Sequence, residues 1–173
     1  MIVLITASLL WQCGGPEAKP IKEMKEYKDD VREFSFEYPA DWHFIKTPNG
    51  AVVYTSKEEM KRFYKYDTEG AAAAKIELMW DNTFDTTALE DVMKKYWKFD
   101  EKVYTPLEKV TFGGQPGLKT EYAFRLSDGT FKGVQYIAAK DTTTATILIM
   151  EAFADTYDKY KQHFDKIAES ITL

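Results

Sequence analysis

Nine consecutive residues, Ala145 to Phe153 (ATILIMEAF), constrain this chain more than any other stretch. Read with the period of two of a β-strand, Thr146, Leu148, Met150 and Ala152 fall on one side. Ala145, Ile147, Ile149 and Phe153 fall on the other, and Glu151 is the only charge. A strand apolar on both sides is covered on both sides, so it belongs in the middle of a sheet with a layer on each face. The next segment supplies such a layer. From Asp155 to Ile171, residues Tyr157, Tyr160, Phe164, Ile167 and Ile171 recur at helical spacing, an apolar stripe that needs a sheet to lie on.

Phe34, Phe36 and Tyr38 alternate with Ser35 and Glu37 in a half-buried strand that Pro39 stops. Trp42 to Ile45, the turn Pro48-Asn49-Gly50 and Ala51 to Thr55 predict a hairpin. Lys57 to Gly70 reads as an exposed loop or short helix, and Ala71 to Trp80 as a strand with Ile76, Leu78 and Trp80 on one face. Thr86 or Thr87 caps a predicted helix that runs to about Phe99 on Leu89, Val92, Met93, Tyr96 and Trp97. Val103 to Phe112 (interrupted by Pro106), Leu118 to Leu126 and Thr130 to Ala139 are further strands, separated by Gly113 to Gly117, Ser127-Asp128-Gly129 and Asp141-Thr142-Thr143. Turns this short join antiparallel neighbours, because a parallel pair needs a crossover of about a dozen residues. The expectation is one α+β domain over residues 33–173, an antiparallel sheet flanked by helices as an α-β-α sandwich.

The N-terminus is different in kind. Residues 1–12 contain the uncharged apolar run MIVLITASLLW, shorter than the roughly 20 residues of a spanning helix but suited to the apolar region of a secretory signal. Cys13, the only cysteine, stands where this run meets the polar, charged residues that follow. A cysteine at that junction resembles the lipid-modified residue of bacterial lipoproteins, although Trp11 and Gln12 replace the small residues usual before it. Residues 13–32 are then expected to form a lipidated cysteine and polar tether. Ile21, Met24, Tyr27 and Val31 within them are spaced for a first amphipathic helix.

Three segments carry a resemblance. Phe34-Ser35-Phe36-Glu37-Tyr38-Pro39-Ala40-Asp41-Trp42 resembles the opening motif of PsbP-like proteins and of DcrB-type envelope lipoproteins. Val110 to Gly117 (VTFGGQPG), before a tyrosine-bearing strand, is similar to the middle signature of that group. Phe164 to Ile171 (FDKIAESI) is similar to its ending, a helix closing before a short strand. The resemblance implies an antiparallel sheet between helices and a non-enzymatic accessory, assembly or binding role. It brings no site residues with it.

The inventory of chemistry is thin. Cys13 is assigned to lipid, His43 and His163 lie far apart, and the chain has no G-x-S-x-G, no C-x-x-C and no helical histidine pair. No catalytic set, resident metal or cofactor is expected. The candidates for a ligand or partner surface are Trp42, one of several aromatics able to line a cleft, and Asp81, Asn82 and Asp85, whose oxygens follow a strand and suit a hard cation. The charged, aromatic segment from Lys57 to Tyr66 suits protein contact. With a net charge of −5, a pI near 5.2 and acids and bases interspersed, the surface does not suit nucleic acid. The expected protein is therefore a lipid-anchored, extracytoplasmic accessory or binding protein of a bacterial cell envelope, with a membrane and a protein as partners. The alternative is a small-molecule or metal-ion binding module.

Overall fold

The chain is described here by a computed structural model over residues 17–65, 73–82, 88–96, 103–126 and 129–173. Within these, the elements are β1 (Met24–Asp29), β2 (Phe34–Pro39), β3 (His43–Thr47), β4 (Gly50–Tyr54), α1 (Lys57–Lys65), β5 (Ala74–Asp81), α2 (Leu89–Lys95), β6 (Val103–Tyr104), β7 (Glu108–Phe112), β8 (Gln115–Leu126), β9 (Gly129–Ala139), β10 (Ala145–Phe153) and α3 (Ala154–Ser170). The two-sided apolar stretch is β10. It lies between β5 and β9 in an antiparallel sheet ordered β3-β4-β5-β10-β9-β8-β6, and all nine of its residues are buried. β7 pairs with β8 on the same outer edge as β6.

The alternation of β10 divides the core. Leu148, Met150 and Ala152 join Ile76, Leu78, Trp80, Val134 and Tyr136 under Tyr157, Tyr160, Phe164 and Ile167 of α3. Ala145, Ile147, Ile149 and Phe153 join Phe131 and Ile137 under Phe63 of α1 and Val92 and Met93 of α2. Beside α3, the first of these layers is completed by strands: Phe34, Phe36 and Tyr38 of β2 belong to the same cluster. The α-β-α description therefore holds only in part, because one cover is half helix and half β-ribbon.

That ribbon corrects the reading of the N-terminal segment. Met24 to Asp29 is not helical; it is β1, paired antiparallel with β2 from Met24↔Pro39 to Asp29↔Phe34. The ring of Tyr27 lies 5.9 Å from Phe36 and 5.0 Å from Phe44, contacts available only once β1 lies along β2. Nor does residue 32 divide tether from domain, since Ala18, Ile21, Met24 and Tyr27 pack on the core. Lys57 to Lys65 is a helix begun by Ser56, whose Oγ accepts the N–H of Glu59 at 3.1 Å. Pro106 falls between β6 and β7, splitting the predicted Val103–Phe112 strand because proline has no N–H to give a ladder. α2 starts at Leu89 after Ala88; Thr86, Thr87, Trp97 and Asp85 lie outside the described residues. After α3 the chain closes with a bridge between Thr172 and Ser35.

The registers give the sheet two poles. At one, Asp81 meets Ala145, Ala139 precedes the 140–144 turn, and Thr47 and Gly50 flank the β3–β4 turn. At the other stand Ala74, Phe153, Tyr54 and His43. A nine-residue β10 separates them by roughly 25–30 Å.

Candidate functional site

Among the described residues, three places combine polar groups with a cleft or with burial. The first is the pole at the end of β5. Asp81 is 4% exposed, and its Oδ2 accepts Lys95 Nζ and Tyr96 OH, each at 3.0 Å. Burial, with the neighbouring Asp81 carboxylate, pushes the Tyr96 phenol up to about 12. Asp81 is thus committed to the end of α2, while Asn82 next to it is exposed. Asn82 lines a cleft of about 230 Å³ with Val31, Arg32, Glu33, Trp80, Lys140, Asp141 and Thr144. The β1–β2 turn forms one wall. There the Arg32 guanidinium stacks 4.7 Å above the Trp80 ring, donates to Asp29 Oδ2 at 3.1 Å and reaches the carbonyl of Pro48 at 3.3 Å. Burial alone would raise the Asp29 pKa; hydrogen bonds from the Arg32 main chain and side chain outweigh it and hold the carboxyl below its usual value. Lys140 crosses from the opposite turn to the carbonyls of Arg32 and Glu33.

The second is a buried charge cluster on the α1–α2 face. Glu151 accepts Tyr122 OH at 2.5 Å and Lys75 Nζ at 2.7 Å, and Lys75 also meets Glu77 at 3.1 Å. Tyr122 is on β8 and Glu151 on β10, so the phenol must cross β9. It does so over Gly133, which is paired with both residues, and a Cβ there would meet the ring at 2.4 Å. Burial would lower the Lys75 pKa, yet the Glu151 and Glu77 carboxylates overcome it and hold the ammonium above its ordinary range. Burial, then Glu151, drives the Tyr122 phenol well up. These groups answer one another, as a buried set must.

The third lies at the opposite pole and beside α3. Trp42 is buried, 5% exposed, and packs edge-on against Tyr160 at 5.7 Å, so it is a core residue rather than a lining one. The Tyr160 hydroxyl accepts the main-chain N–H of Lys19 at 2.9 Å, and Lys19 Nζ bonds the carbonyls of Asp41 and Thr55 and the Asp41 carboxylate. Next to α3 a cleft of about 390 Å³ is lined by residues including Ala123, Lys132, Tyr157, Asp158 and Lys161. His163, pushed down by burial and by Lys166, belongs to α3 and not to this cleft.

Of the residues singled out in the sequence, the structure brings Asp81 and Asn82 to one pole and puts Trp42 at the other; Asp85 and Cys13 lie outside the described residues. Arg32, Lys140 and the Lys75–Glu151–Tyr122 set went unread. A lone carboxylate in β10 and a glycine inside β9 were the signals for the last.

No protein-family model matches the chain. No curated protein sequence matches it either. Among solved structures, the solution structure of cyanobacterial PsbP (CyanoP) from Synechocystis sp. PCC 6803 aligns with a TM-score of 0.62 at 15% identity, covering 93% of this chain and 98% of CyanoP. The crystal structure of LpqN, involved in cell envelope biogenesis of Mycobacterium tuberculosis, aligns with a TM-score of 0.59 at 10% identity, covering 87% and 91%. At such identities the likeness is one of fold, and it does not single out the DcrB-type proteins. The antiparallel sheet, the ribbon beside α3 and the closing helix make this a chain with a PsbP-like fold.

Proposed function

We propose that the chain is an accessory protein of a bacterial cell envelope, held outside the cytoplasm by a lipid on Cys13 and acting by contact rather than by catalysis. One observation carries this reading: the N-terminal segment is stitched to the domain at Lys19 by four polar contacts. Cys13 precedes Lys19 by six positions (19 − 13), which at full extension span only about 20 Å. An acylated Cys13 therefore holds the Lys19 pole close to the bilayer and turns the Arg32–Trp80 pole outward. The PsbP-like fold and the envelope role of LpqN support the location. Action by contact is supported by the interior charges, which are spent on each other in the Lys75–Glu151–Tyr122 set. Intact mass spectrometry of the membrane fraction tests the anchor. The expected species begins at an acylated Cys13 and is released to the soluble fraction by Cys13→Ser; an unmodified Cys13 with residues 1–12 attached ends the reading.

The alternative, a small-molecule module, is favoured by the cleft of about 390 Å³, within the usual range of about 300–1,000 Å³ for ligand sites. In its metal-ion form, a cation at Asp81 must displace Lys95 and Tyr96. A thermal-shift screen against small metabolites and divalent cations separates the two, since a ligand of the native state raises Tm.

A further inference from the structure

We propose that the open edge of β1 pairs antiparallel with β1 of a second copy of this chain, joining two β1–β2 ribbons into one four-stranded sheet ordered β2-β1-β1-β2. This goes beyond the accessory-protein reading, and its test in solution makes no use of the anchor, so either can fail alone.

In an antiparallel pair, residues that exchange main-chain bonds with the neighbour alternate with residues that turn away from it. Ser35 of β2 exchanges both its main-chain bonds with Thr172, at 3.2 and 3.0 Å, and the Glu37 N–H goes to Ser170 Oγ at 2.9 Å. Both therefore turn away from β1. Their register partners, Lys28 and Glu26, stand at the non-bonded positions, and with Met24 they turn N–H and C=O away from β2. The Glu23 carbonyl, which accepts the Ala40 N–H at 2.9 Å, faces β2 and keeps the alternation. Among the described residues, no hydrogen bond reaches the main-chain N–H and C=O groups of Met24, Glu26 and Lys28. Glu26 and Lys28 are exposed, while Tyr27 between them seats the strand on Phe36 and Phe44. β1 is thus a fixed, unused ladder whose repeat an extended strand matches.

Charge selects the strand. Opposite Glu26 the added strand needs a base, and two places earlier, opposite Lys28, an acid; Glu26-Tyr27-Lys28 is itself that pattern. With a two-fold axis at Tyr27, Glu26 of each copy faces Lys28 of the other. A register shifted by two sets Glu26 against Glu26 or Lys28 against Lys28, and like charges directly opposite are destabilising. Edge lysines guard a sheet when nothing answers them; here the other copy's glutamate does. The contact of Lys28 with Asp30, 3.1 Å between side chains 65% and 81% exposed, is worth little and exchanges readily. β3 and β7, at the two edges of the large sheet, read HFIKT and EKVTF and hold no acid two places before a base. β1 runs from the Lys19 pole to the turn of Arg32, so paired copies send their Lys19 poles to opposite ends. Anchored at those poles, the two copies belong to membranes that face each other.

Sedimentation velocity of the full chain carrying Cys13→Ser, up to about 1 mM, reads the pairing, and a monomer–dimer equilibrium is expected. Glu26→Lys or Lys28→Glu sets like charges opposite each other twice and should weaken the dimer about tenfold. The two variants mixed, or the double variant E26K/K28E, should restore it, because every charge again meets its opposite. Glu26→Pro removes an N–H that β2 does not use, so it should abolish the dimer and leave Tm unchanged. A chain that stays monomeric, or a dimer indifferent to both single reversals, overturns the pairing. A double variant as weak as the single ones overturns it too, since Glu26 would then face itself. Vesicles crowded with the acylated chain should cluster, and sparsely loaded ones stay single, because a contact this small needs many copies side by side. Dimers in solution without clustering uphold the pairing and contradict the placing of the anchor.

Discussion

Gly133 shows how one missing side chain can organise a charge network. It stands between Tyr122 and Glu151 in the register, and the phenol passes over it to reach the carboxylate two strands away. Gly133→Ala places a methyl 2.4 Å from the Tyr122 ring, which must leave and strand the Glu151–Lys75 pair without its third member. The expected cost is about 2–4 kcal/mol, as overpacking joins the loss of a buried hydrogen bond. A urea titration measures it. A variant within about 0.5 kcal/mol of the parent would show that the ring has another way across β9.

The elements differ in how openly the sequence declares them. β10 was legible because both its faces are apolar, and α3 because its stripe has one period over four turns. The β1–β2 ribbon was not legible. Its turn has neither glycine nor asparagine at the position that needs left-handed backbone; Glu33 occupies it with φ of 50°. With no turn residue to mark a hairpin, the charged run ahead of it kept only an ambiguous spacing, and pairing with β2 decided its form. The same residue makes a prediction. Left-handed backbone costs a glutamate roughly 1–2 kcal/mol and an asparagine less. Glu33→Asn should raise the stability of the folded chain by about 0.5–1 kcal/mol, seen as a higher urea midpoint with unchanged slope. A lower midpoint would mean that the Glu33 carboxylate itself supports the turn. The clefts were equally hidden, since Arg32, Trp80 and Lys140 come from three separate regions of sequence and meet only when the 30–33 and 140–144 turns face each other.

At the scale of the molecule, the tyrosines set an alkaline limit. Burial first, then nearby carboxylates, hold Tyr122, Tyr136 and Tyr157 above the ordinary phenol value of 10.0. A group whose pKa is raised by folding contributes its full stability below the unfolded value and loses it as pH rises through the folded one. Stability should therefore be flat up to about pH 9 and fall steeply above about pH 10, and Tyr136→Phe should flatten part of that fall. Urea midpoints across the range check the slope; a midpoint that holds constant to about pH 11 contradicts it.

On the proposed anchoring, the domain is fastened by its N-terminus at one pole and turned away from the bilayer at the other. Lys57, two residues beyond the Thr55 carbonyl that receives Lys19, marks the fastened pole, and Thr142, in the turn next to the Trp80 cleft, marks the free one. The most direct measurement places a spin label at Lys57→Cys or Thr142→Cys in protein whose acylated Cys13 has been verified by mass, reconstituted in vesicles with a paramagnetic chelate on the lipid headgroups. Strong relaxation at residue 57 and weak relaxation at residue 142 is the predicted result. Equal relaxation at both, or the reverse order, would contradict it.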